Sequence, residues 1–175
     1  AAGAQHTCAL TVSGGVKCWG LNESGQLGDG SAIGSLAPVL VPVNVSGLSK
    51  DVQAITAKAD HTCALTTAGG AKCWGSNDSR QLGDGTTRDR SSPVEVIGLS
   101  SGVYAVSAGY DHTCALVESG VKCWGSNSAG RLGDGTILDR LPPVDVIGLV
   151  ANITAVSAGG DHTCALTAEG TVQCW

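Results

Sequence analysis

The sequence contains no methionine and no phenylalanine, and its aromatic residues are four tryptophans and two tyrosines. A buried core must therefore be built from valine, leucine, isoleucine, alanine, cysteine and tryptophan. Only 14% of the residues are charged, the formal net charge is −5, and lysine and arginine form no cluster. Because nucleic acids and anionic membrane surfaces are bound by basic faces, we expect no nucleic-acid partner. No apolar run approaches the roughly 20 residues of a membrane span, so we expect no membrane insertion.

Motifs that hold cofactors or activate nucleophiles are also missing. The chain has no G-x-x-x-x-G-K-[ST] phosphate-binding loop and no G-x-S-x-G nucleophile motif. We therefore expect no cofactor and no enzymatic activity.

Glycine is abundant, with 26 residues, and the tripeptide His-Thr-Cys recurs at His6, His61, His112 and His162. Glycine together with valine, isoleucine and threonine favours short strands joined by tight turns. The tripeptides are spaced by about 50 residues, which is a spacing typical of repeat architectures. The chain is therefore predicted to be an array of similar all-β units.

One unit, which begins at Val103, shows the predicted strands. Alternating β-branched residues predict a strand over Val103–Ala108, and two further strands follow over His112–Val117 and Val121–Gly125, joined by a turn at 118–120. A long loop precedes a fourth strand over Pro143–Ile147, where proline indicates an edge position. Four short antiparallel strands in a unit of about 50 residues predict a β-propeller blade.

The pattern G-x-x-H-T-x-A-L, followed by G-x-V-x-x-W-G-x-N-x-x-G-x-L-G-x-G, resembles the repeat of the regulator of chromosome condensation family. It is matched at Gly109–Gly135, His61–Gly85 and His6–Gly30, and in part at Gly159–Trp175. The resemblance implies a propeller, with seven blades in that family. This chain holds about three and a half blades, with units at 1–50, 51–101, 102–151 and 152–175. Both ends fall inside a strand motif, so we expect a part of a larger ring.

The eight cysteines form four pairs, and each pair flanks one predicted hairpin. Counting back from each turn places the two cysteines of a pair opposite each other on neighbouring strands, within reach of a disulfide. Disulfides imply an oxidising compartment, so we expect a periplasmic, cell-surface or extracellular protein. A zinc site built from His-x-Cys plus Cys, and free buried thiols, are the alternatives. The predicted pairs are Cys8 with Cys18, Cys63 with Cys73, Cys114 with Cys123, and Cys164 with Cys174.

Other repeated residues are expected to serve the blade. The Asp-His pairs, such as Asp60-His61, are predicted to form a hydrogen bond that ties the turn into the hairpin. The tryptophans are expected to fill the gap between blades, with sugar binding as the alternative. The Leu-Gly-Asp-Gly segments are typical of turns, with calcium binding as the alternative. Four sequons make glycosylation possible, at Asn22, Asn44, Asn77 and Asn152.

If repeated residues make the fold, the residues that are not repeated carry the specific function. The connection after the first hairpin is the longest and the most apolar, and Tyr110 lies in a turn between strands. Loops on a rigid scaffold are where binding residues are usually found. The candidate interaction residues are Ile33, Leu36, Leu40, Arg90, Tyr110 and Arg140.

Four functions are compared on this basis. The first is a secreted or cell-surface scaffold for protein interaction or extracellular assembly, and the second is a lectin-like or small-ligand binder. The third is a guanine nucleotide exchange factor, which is the activity implied by the family, although paired cysteines contradict a reducing compartment. The fourth is a hydrolase, which lacks a unique catalytic set. The expected partners are a protein, additional blades of the same protein, or a second copy in an end-to-end oligomer or filament.

Overall fold

The computed structural model describes residues 1–31 and 33–175, and the regular structure among them is entirely β. The strands are β1 (His6–Leu10), β2 (Val16–Asn22), β3 (Ser35–Asn44), β4 (Val52–Lys58), β5 (His61–Thr66), β6 (Ala71–Gly75), β7 (Arg90–Glu95), β8 (Val103–Ala108), β9 (His112–Val117), β10 (Gly120–Gly125), β11 (Arg140–Asp145), β12 (Ile153–Ala158), β13 (Thr163–Thr167) and β14 (Val172–Cys174).

These strands form four antiparallel sheets, which are the blades of a β-propeller. Blade 1 holds β1–β3, blade 2 holds β4–β7, blade 3 holds β8–β11 and blade 4 holds β12–β14, and in every blade the strand order follows the chain. The first strands of blades 2, 3 and 4 contact one another, with Ala108 N donating to Thr56 Oγ1 at 3.2 Å and Ala158 N donating to Ser107 Oγ at 2.9 Å. The propeller fold predicted from the repeat is therefore confirmed.

The central hairpin of each blade follows from its turn chemistry. In blade 2, Cys63 pairs with Cys73, and the Thr66 hydroxyl oxygen accepts a hydrogen bond from Gly70 N at 3.0 Å. Gly69 has a φ of 77°, a conformation that favours glycine. This turn places the two cysteines opposite each other with Cα atoms 4.1 Å apart, and the disulfide closes across the hairpin.

The predicted bounds of the fourth strand are wrong. We expected Pro143–Ile147, but β11 covers Arg140–Asp145. The strand begins earlier because Arg140 pairs with Gly125, and it ends earlier because Ile147 N donates to the Gly133 carbonyl of the preceding loop at 2.9 Å. The outer strand is therefore fixed at both ends by residues outside its own pattern.

The hydrophobic core lies in the seams, which are the contacts between neighbouring blades. Trp124 of blade 3 is fully buried against Leu65 and Leu82 of blade 2, and Trp74 takes the same place between blades 1 and 2. Each indole Nε1 donates to a backbone carbonyl of the preceding blade, at 3.0 Å from Trp74 to Gln26 and 2.9 Å from Trp124 to Gln81. Trp74 and Trp124 thus fill the gaps between blades, as the sequence predicts.

In the part of the chain that the structure describes, no helix has the length and hydrophobicity that a membrane crossing requires.

Candidate interaction surface at the loop end

Antiparallel strands place two kinds of connection at the same end of every blade. The short turns between the first and second strands (59–60, 109–111 and 159–162) lie beside the long loops between the third and outer strands. Ser76 N and Ser126 N donate to the carbonyls of Asp60 and Asp111, which ties the two connections together at 2.9 and 2.8 Å. We call this side the loop end, and the opposite side, with the central hairpin turns, the hairpin end.

An asparagine braces each long loop from inside. Asn77 Nδ2 donates to Asp84 Oδ1 at 3.1 Å and to the Arg88 carbonyl at 3.1 Å, while Asn77 Oδ1 accepts from Leu82 N at 3.0 Å. Asn127 makes the equivalent contacts in blade 3. One amide side chain thereby satisfies the hydrogen-bonding needs of several polar groups in a long loop.

This bracing corrects two of the four glycosylation predictions. Asn77 and Asn22 are buried, and Asn22 Nδ2 donates to Ser31 Oγ at 2.7 Å. A glycan on either nitrogen is incompatible with this packing. Asn44 and Asn152 are exposed, and their glycosylation stays a prediction.

Arg90 and Arg140, two of the candidate interaction residues, hold the ends of these loops. Arg90 Nε donates to Asp84 Oδ2 at 2.7 Å, and Arg140 Nε donates to Asp134 Oδ2 at 2.7 Å. Burial raises the pKa of Asp84, but hydrogen bonds from Thr86 and Arg90 outweigh it and hold that pKa below its usual range. The structure thus gives both arginines an intramolecular role, and their contact with a partner stays a prediction.

Most of the charge of the molecule lies at the loop end, and carboxylates outnumber bases there. Burial raises the pKa of Asp111, and the nearby Asp161 and Asp60 carboxylates raise it further, against the opposing effect of Arg131. Carboxylates of neighbouring blades therefore repel one another across this surface. The acidic residues are Glu23, Asp29, Asp60, Asp78, Asp84, Asp89, Asp111, Asp134, Asp139 and Asp161, and the bases are Lys58, Arg80, Arg88, Arg90, Arg131 and Arg140.

Arg131 departs from the repeat, because glutamine stands at the equivalent positions 26 and 81. Gln26 Oε1 accepts from Ser24 N at 2.9 Å, so the glutamine closes its own loop. Gln26 also reaches the next blade, through Nε2 to Asp60 Oδ1 at 3.3 Å. Arg131 replaces this contact of a neutral amide with an ion pair to Asp161 at 2.9 Å. Sequence reasoning missed this residue, although the change from glutamine to arginine within a repeat was visible.

Tyr110 lies at the seam between blades 3 and 4, and its side chain is 54% exposed. Its backbone N donates to the Gly159 carbonyl at 3.1 Å, which fixes the turn while the ring stays free. The equivalent positions hold Ala59 and Gly160. Tyr110 is therefore an aromatic side chain that only this blade presents at the loop end of the described chain.

The apolar candidates lie elsewhere. Leu36 and Leu40 on β3 are 71% and 83% exposed, and Ile33 precedes the same strand. They belong to the outer edge of blade 1, whereas Tyr110 belongs to a turn of blade 3 next to its first strand. The structure therefore separates the predicted interaction residues into two surfaces.

The predicted role of the Asp-His pairs is wrong. His61 Nε2 lies 3.0 Å from Thr113 Oγ1 of the next blade, and Asp60 Oδ1 instead accepts from Gln26 Nε2 at 3.3 Å. The histidine therefore crosses the seam and does not tie the turn into its own hairpin. Burial is the main cause that lowers the pKa of His61 to about 3, so it is neutral at physiological pH.

The cysteines are joined in the structure as the sequence predicts, each pair within one hairpin and with Cα atoms 4.1 Å apart. Because their sulfurs are bonded to each other, none of them among the described residues is free, and the zinc and free-thiol alternatives are wrong. Over the same part of the chain, no three histidine, cysteine or acidic side chains are grouped as metal ligands would be. The bridges are Cys8 to Cys18, Cys63 to Cys73, Cys114 to Cys123, and Cys164 to Cys174.

The bridges serve the fold and not the interaction surface. Cys18 and Cys123 have no exposed surface, and both pack in the hydrophobic core beside a leucine of the same blade, Leu27 for Cys18 and Leu132 for Cys123. The burial of these two cysteines places them in the core, out of reach of a partner.

The blades, with their core in the seams and long loops at one end, define a β-propeller of the repeat type. Models of the regulator of chromosome condensation (RCC1) repeat match residues 72–116 and 121–166, and a second model of this repeat matches residues 1–26, 52–81 and 103–131. The chain belongs to the RCC1 repeat family.

Three known proteins illustrate the likeness. Human probable E3 ubiquitin-protein ligase HERC3 is 35% identical over 120 residues, which are 68% of this chain and 11% of HERC3. Prp20p of Saccharomyces cerevisiae, whose structure was described together with its binding to Gsp1p and histones, has a TM-score of 0.84 and 22% identity over 96% of this chain and 44% of Prp20p. The ectodomain of the Physcomitrella patens receptor kinase CR4 has a TM-score of 0.59 and 23% identity over 99% of this chain and 39% of that ectodomain.

The chain thus spans 11% of HERC3 and less than half of Prp20p. The match to HERC3 lies in the repeats, and the two structural likenesses, at these identities, show the fold alone.

Proposed function

We propose that this chain is a non-enzymatic, secreted or cell-surface propeller scaffold that binds a protein partner through its loop end. One observation carries the proposal. The residues that hold the loops recur from blade to blade, whereas an exposed side chain at the loop end does not. Asn77 and Asn127 hold the loops in one shape, while the exposed Tyr110 differs from its equivalents in the other blades. A rigid frame that presents unique side chains is what a binding loop needs.

The charge of the loop end favours a partner with a basic surface. Asp60 and Asp111 lie on the turns near the propeller axis, and only part of the acidic charge there is paired. An acidic surface attracts basic partners and speeds their encounter, and an exposed tyrosine beside it offers a ring face to lysine or arginine.

Binding of lysine- and arginine-rich peptides to the 175-residue chain tests this proposal, with acidic peptides of equal length as the reference. We expect binding that weakens as salt is raised, and weakens again in Asp60→Asn, Asp111→Asn and Tyr110→Ala. Asp145→Asn removes the same charge at the hairpin end, where Asp145 pairs with Lys122, and should leave binding unchanged. Equal affinity for basic and acidic peptides would refute the proposal.

The secreted or cell-surface location is supported by the four disulfides, which persist in oxidising compartments. The CR4 ectodomain shares the fold, which supports its compatibility with such a location. Non-reducing peptide mapping of the protein isolated from its own source tests this point. We expect four bridges, each within one blade, whereas reduced cysteines or bridges between blades would contradict it.

A small-ligand binder is the second candidate, and one observation favours it. A groove of about 360 Å³ lies at the hairpin end between blades 1 and 2, lined by Leu48, Lys50, Asp51, Thr66 and Lys72, among others. Glycan-array binding that is lost in Lys72→Ala but kept in Tyr110→Ala would favour this function over the loop-end scaffold.

Guanine nucleotide exchange remains the alternative that family membership suggests. Prp20p was described with its binding to Gsp1p, and the present chain corresponds to less than half of that propeller. We expect no acceleration of guanine nucleotide release when this chain is added to Gsp1p, and a measured acceleration would overturn the proposal of a non-enzymatic scaffold.

The outward faces of blades 1 and 4 support a further proposal about partners. Leu166 of blade 4 is 39% exposed, whereas its equivalent Leu65 is 1% exposed inside a seam. Ala9 of blade 1 is exposed, whereas its equivalent Ala64 is buried. We propose that these faces are covered by additional blades or by a second copy of the chain, because each is a seam surface without its counterpart.

A further inference from the structure

Each seam contains the same hydrogen-bonded chain of three groups. In the seam between blades 2 and 3, His61 Nε2 lies 3.0 Å from Thr113 Oγ1, and Thr113 Oγ1 donates to the Gln81 carbonyl at 2.8 Å. The two other seams hold His6–Thr62–Gln26 at 2.7 and 3.3 Å, and His112–Thr163–Arg131 at 2.9 and 2.9 Å.

This arrangement fixes the protonation state of the histidine. A threonine hydroxyl has one proton, and Thr113 gives it to the Gln81 carbonyl, so it must accept from His61 Nε2–H. His61 is therefore the neutral Nε2–H tautomer with a bare Nδ1. That Nδ1 atom is buried and has no hydrogen-bond partner, and the same is true of Nδ1 in His6 and His112.

The surroundings leave little room for a proton at Nδ1. A methyl group on Gly109 would collide with Cε1 and Nδ1 of His112, and Gly3 lies equally close to His6. Protonation would create a buried cation in a packed interior, which is costly, although at His61 the Lys58 carbonyl offsets part of that cost.

The charged groups around these rings mostly oppose protonation. His112 and His6 oppose a positive charge on His61, and the Lys58 carbonyl favours that charge. Arg131, Lys58 and His162 act against a charge on His112, and Asp161 favours it.

We propose that the seams form an acid-sensitive device, in which protonation of His6, His61 and His112 separates neighbouring blades while the disulfide inside each blade keeps that blade folded. Protonation at Nδ1 leaves the Nε2–H bond to threonine in place, so the seam opens because of the cost of a buried cation, whereas the bonds that close a hairpin are covalent. Mild acid would then turn a rigid array into separately folded blades and expose the seam surfaces.

The direction of the pH dependence follows from burial. Burial is the largest cause that lowers the pKa from 6.5 to about 4 in His6, about 3 in His61 and about 4 in His112. At a pH between these values and 6.5, the three histidines are protonated in the unfolded chain and neutral in the folded chain. Stability contributed by the neutral rings is therefore complete above about pH 6.5 and is lost as the pH falls toward 4.

Urea unfolding of the 175-residue chain between pH 7.5 and 5 tests the linkage. Within this window, each buried histidine should raise the unfolding equilibrium constant up to about 10-fold for every unit by which the pH is lowered. His112→Gln should remove about one proton from the uptake on unfolding. The control His162→Gln changes an exposed ring outside any seam of the described chain and should leave the seam packing of Trp74 and Trp124, read from their fluorescence, unchanged. Equal proton uptake in His112→Gln and the parent would overturn the proposal.

Two measurements on the parent protein keep the proposal testable if His112→Gln does not fold. By NMR, the seam histidines should not titrate above pH 5, and titration near 6.5 would overturn the proposal. On acidification, the fluorescence of Trp74 and Trp124 in the seams should shift to the red before the far-ultraviolet circular dichroism of the strands is lost. Simultaneous loss of both signals would show that blades and seams open together and would also overturn it.

Discussion

Threonine at the centre of each seam performs two tasks with one hydroxyl group. Thr113 accepts from a histidine of the preceding blade and donates to a carbonyl of that same blade. Valine has the same shape but neither capability, and serine has the hydroxyl without the methyl group. The residue at this position therefore decides whether the buried Nε2–H of His61 has an acceptor, whereas the Gln81 carbonyl also accepts from Trp124 Nε1.

Thr113→Val should destabilise the protein by about 1–3 kcal/mol, because it leaves His61 Nε2–H buried without an acceptor. Thr113→Ser keeps the hydroxyl and should lose less. Thr87→Val makes the same change at an exposed position and should lie within about 0.5 kcal/mol of the parent. The measurement is the free energy of unfolding in urea, and equal losses in Thr113→Val and Thr87→Val would contradict the assigned role.

Asn77→Asp should cost at least about 2 kcal/mol, because a carboxylate replaces a donor amide that faces Asp84 and two backbone carbonyls. Limited proteolysis in the loop 78–89 should also become faster. Asn127→Asp repeats the test in blade 3, and Asn44→Asp is the exposed control, since the Asn44 side chain contributes only its oxygen, to Lys17 Nζ. Unchanged stability in both Asn77→Asp and Asn127→Asp would show that the amide does not brace the loop.

The sequence marked these residues without revealing their partners. His61 and Thr113 stand in the same tripeptide of successive repeats, 52 residues apart, and nothing in the pattern of one repeat shows that they meet. Asn77 begins a sequon, but the loop folds around its side chain, and the sequon does not show these contacts. Contacts that cross a seam or close an irregular loop depend on three-dimensional packing that periodicity does not encode.

At the scale of elements, the outer strand of blade 1 differs from those of blades 2 and 3. β3 has ten residues and no charge, whereas β7 and β11 have six residues each, begin with arginine and end with a carboxylate. Pro38 and Pro42 have no backbone N–H and so interrupt the row of hydrogen-bond donors along this edge strand. This protects β3 from pairing with another strand. A partner would therefore contact the exposed leucine side chains of β3 more readily than it would pair with the backbone of this strand.

Leu40→Lys should leave the free energy of unfolding within about 0.5 kcal/mol of the parent, because the side chain is 83% exposed. Val43→Lys on the same strand should cost about 1–3 kcal/mol, because Val43 packs against the core of blade 1. If β3 contacts a partner, Leu40→Lys should also reduce that binding. Equal destabilisation by the two changes would place Leu40 in the core and refute the surface assignment.

Removing one disulfide by the double change Cys63→Ala and Cys73→Ala should lower stability by about 2–3 kcal/mol, as loop-closure entropy gives for a bridge of this span. The circular dichroism of the strands should remain, because the turn and the seam packing of Trp124 are still present. Complete loss of the β signal would mean that the bridge carries far more of the fold than the hairpin contacts do.

The hairpins could be predicted closely and the outer strands less so. The span His112–Val117 agrees with β9 because alternation and a turn define it locally. The same local count placed Cys114 opposite Cys123, and the register of the hairpin pairs them. The span Pro143–Ile147 differs from β11 because the ends of an outer strand depend on Gly125 and on the Gly133 loop. Local chemistry therefore defines the centre of a blade, and contacts with loops define its edge.

At the scale of the whole molecule, stability is shared between two kinds of bond. Covalent bridges lie within blades, and the hydrophobic core with its histidine–threonine bonds lies between them. A repeat array of this kind depends on contact between neighbours, since one blade alone cannot bury both of its faces.

The outward faces of blades 1 and 4 should therefore drive association when the 175-residue chain is studied alone. One face presents Ala9 and Trp19, and the other presents His162 and Leu166, which are the two halves of a seam. Since the halves differ, the contact between two copies is head to tail and extends with concentration. Sedimentation velocity should show larger species as the concentration is raised. Ala9→Glu or Leu166→Glu should each prevent this growth, because a carboxylate would enter an apolar contact, while Val12→Glu in an exposed hairpin turn should not. A compact monomer at all concentrations, with a single cooperative unfolding transition, would show that these faces need no counterpart and that neither further blades nor a second copy is required to cover them.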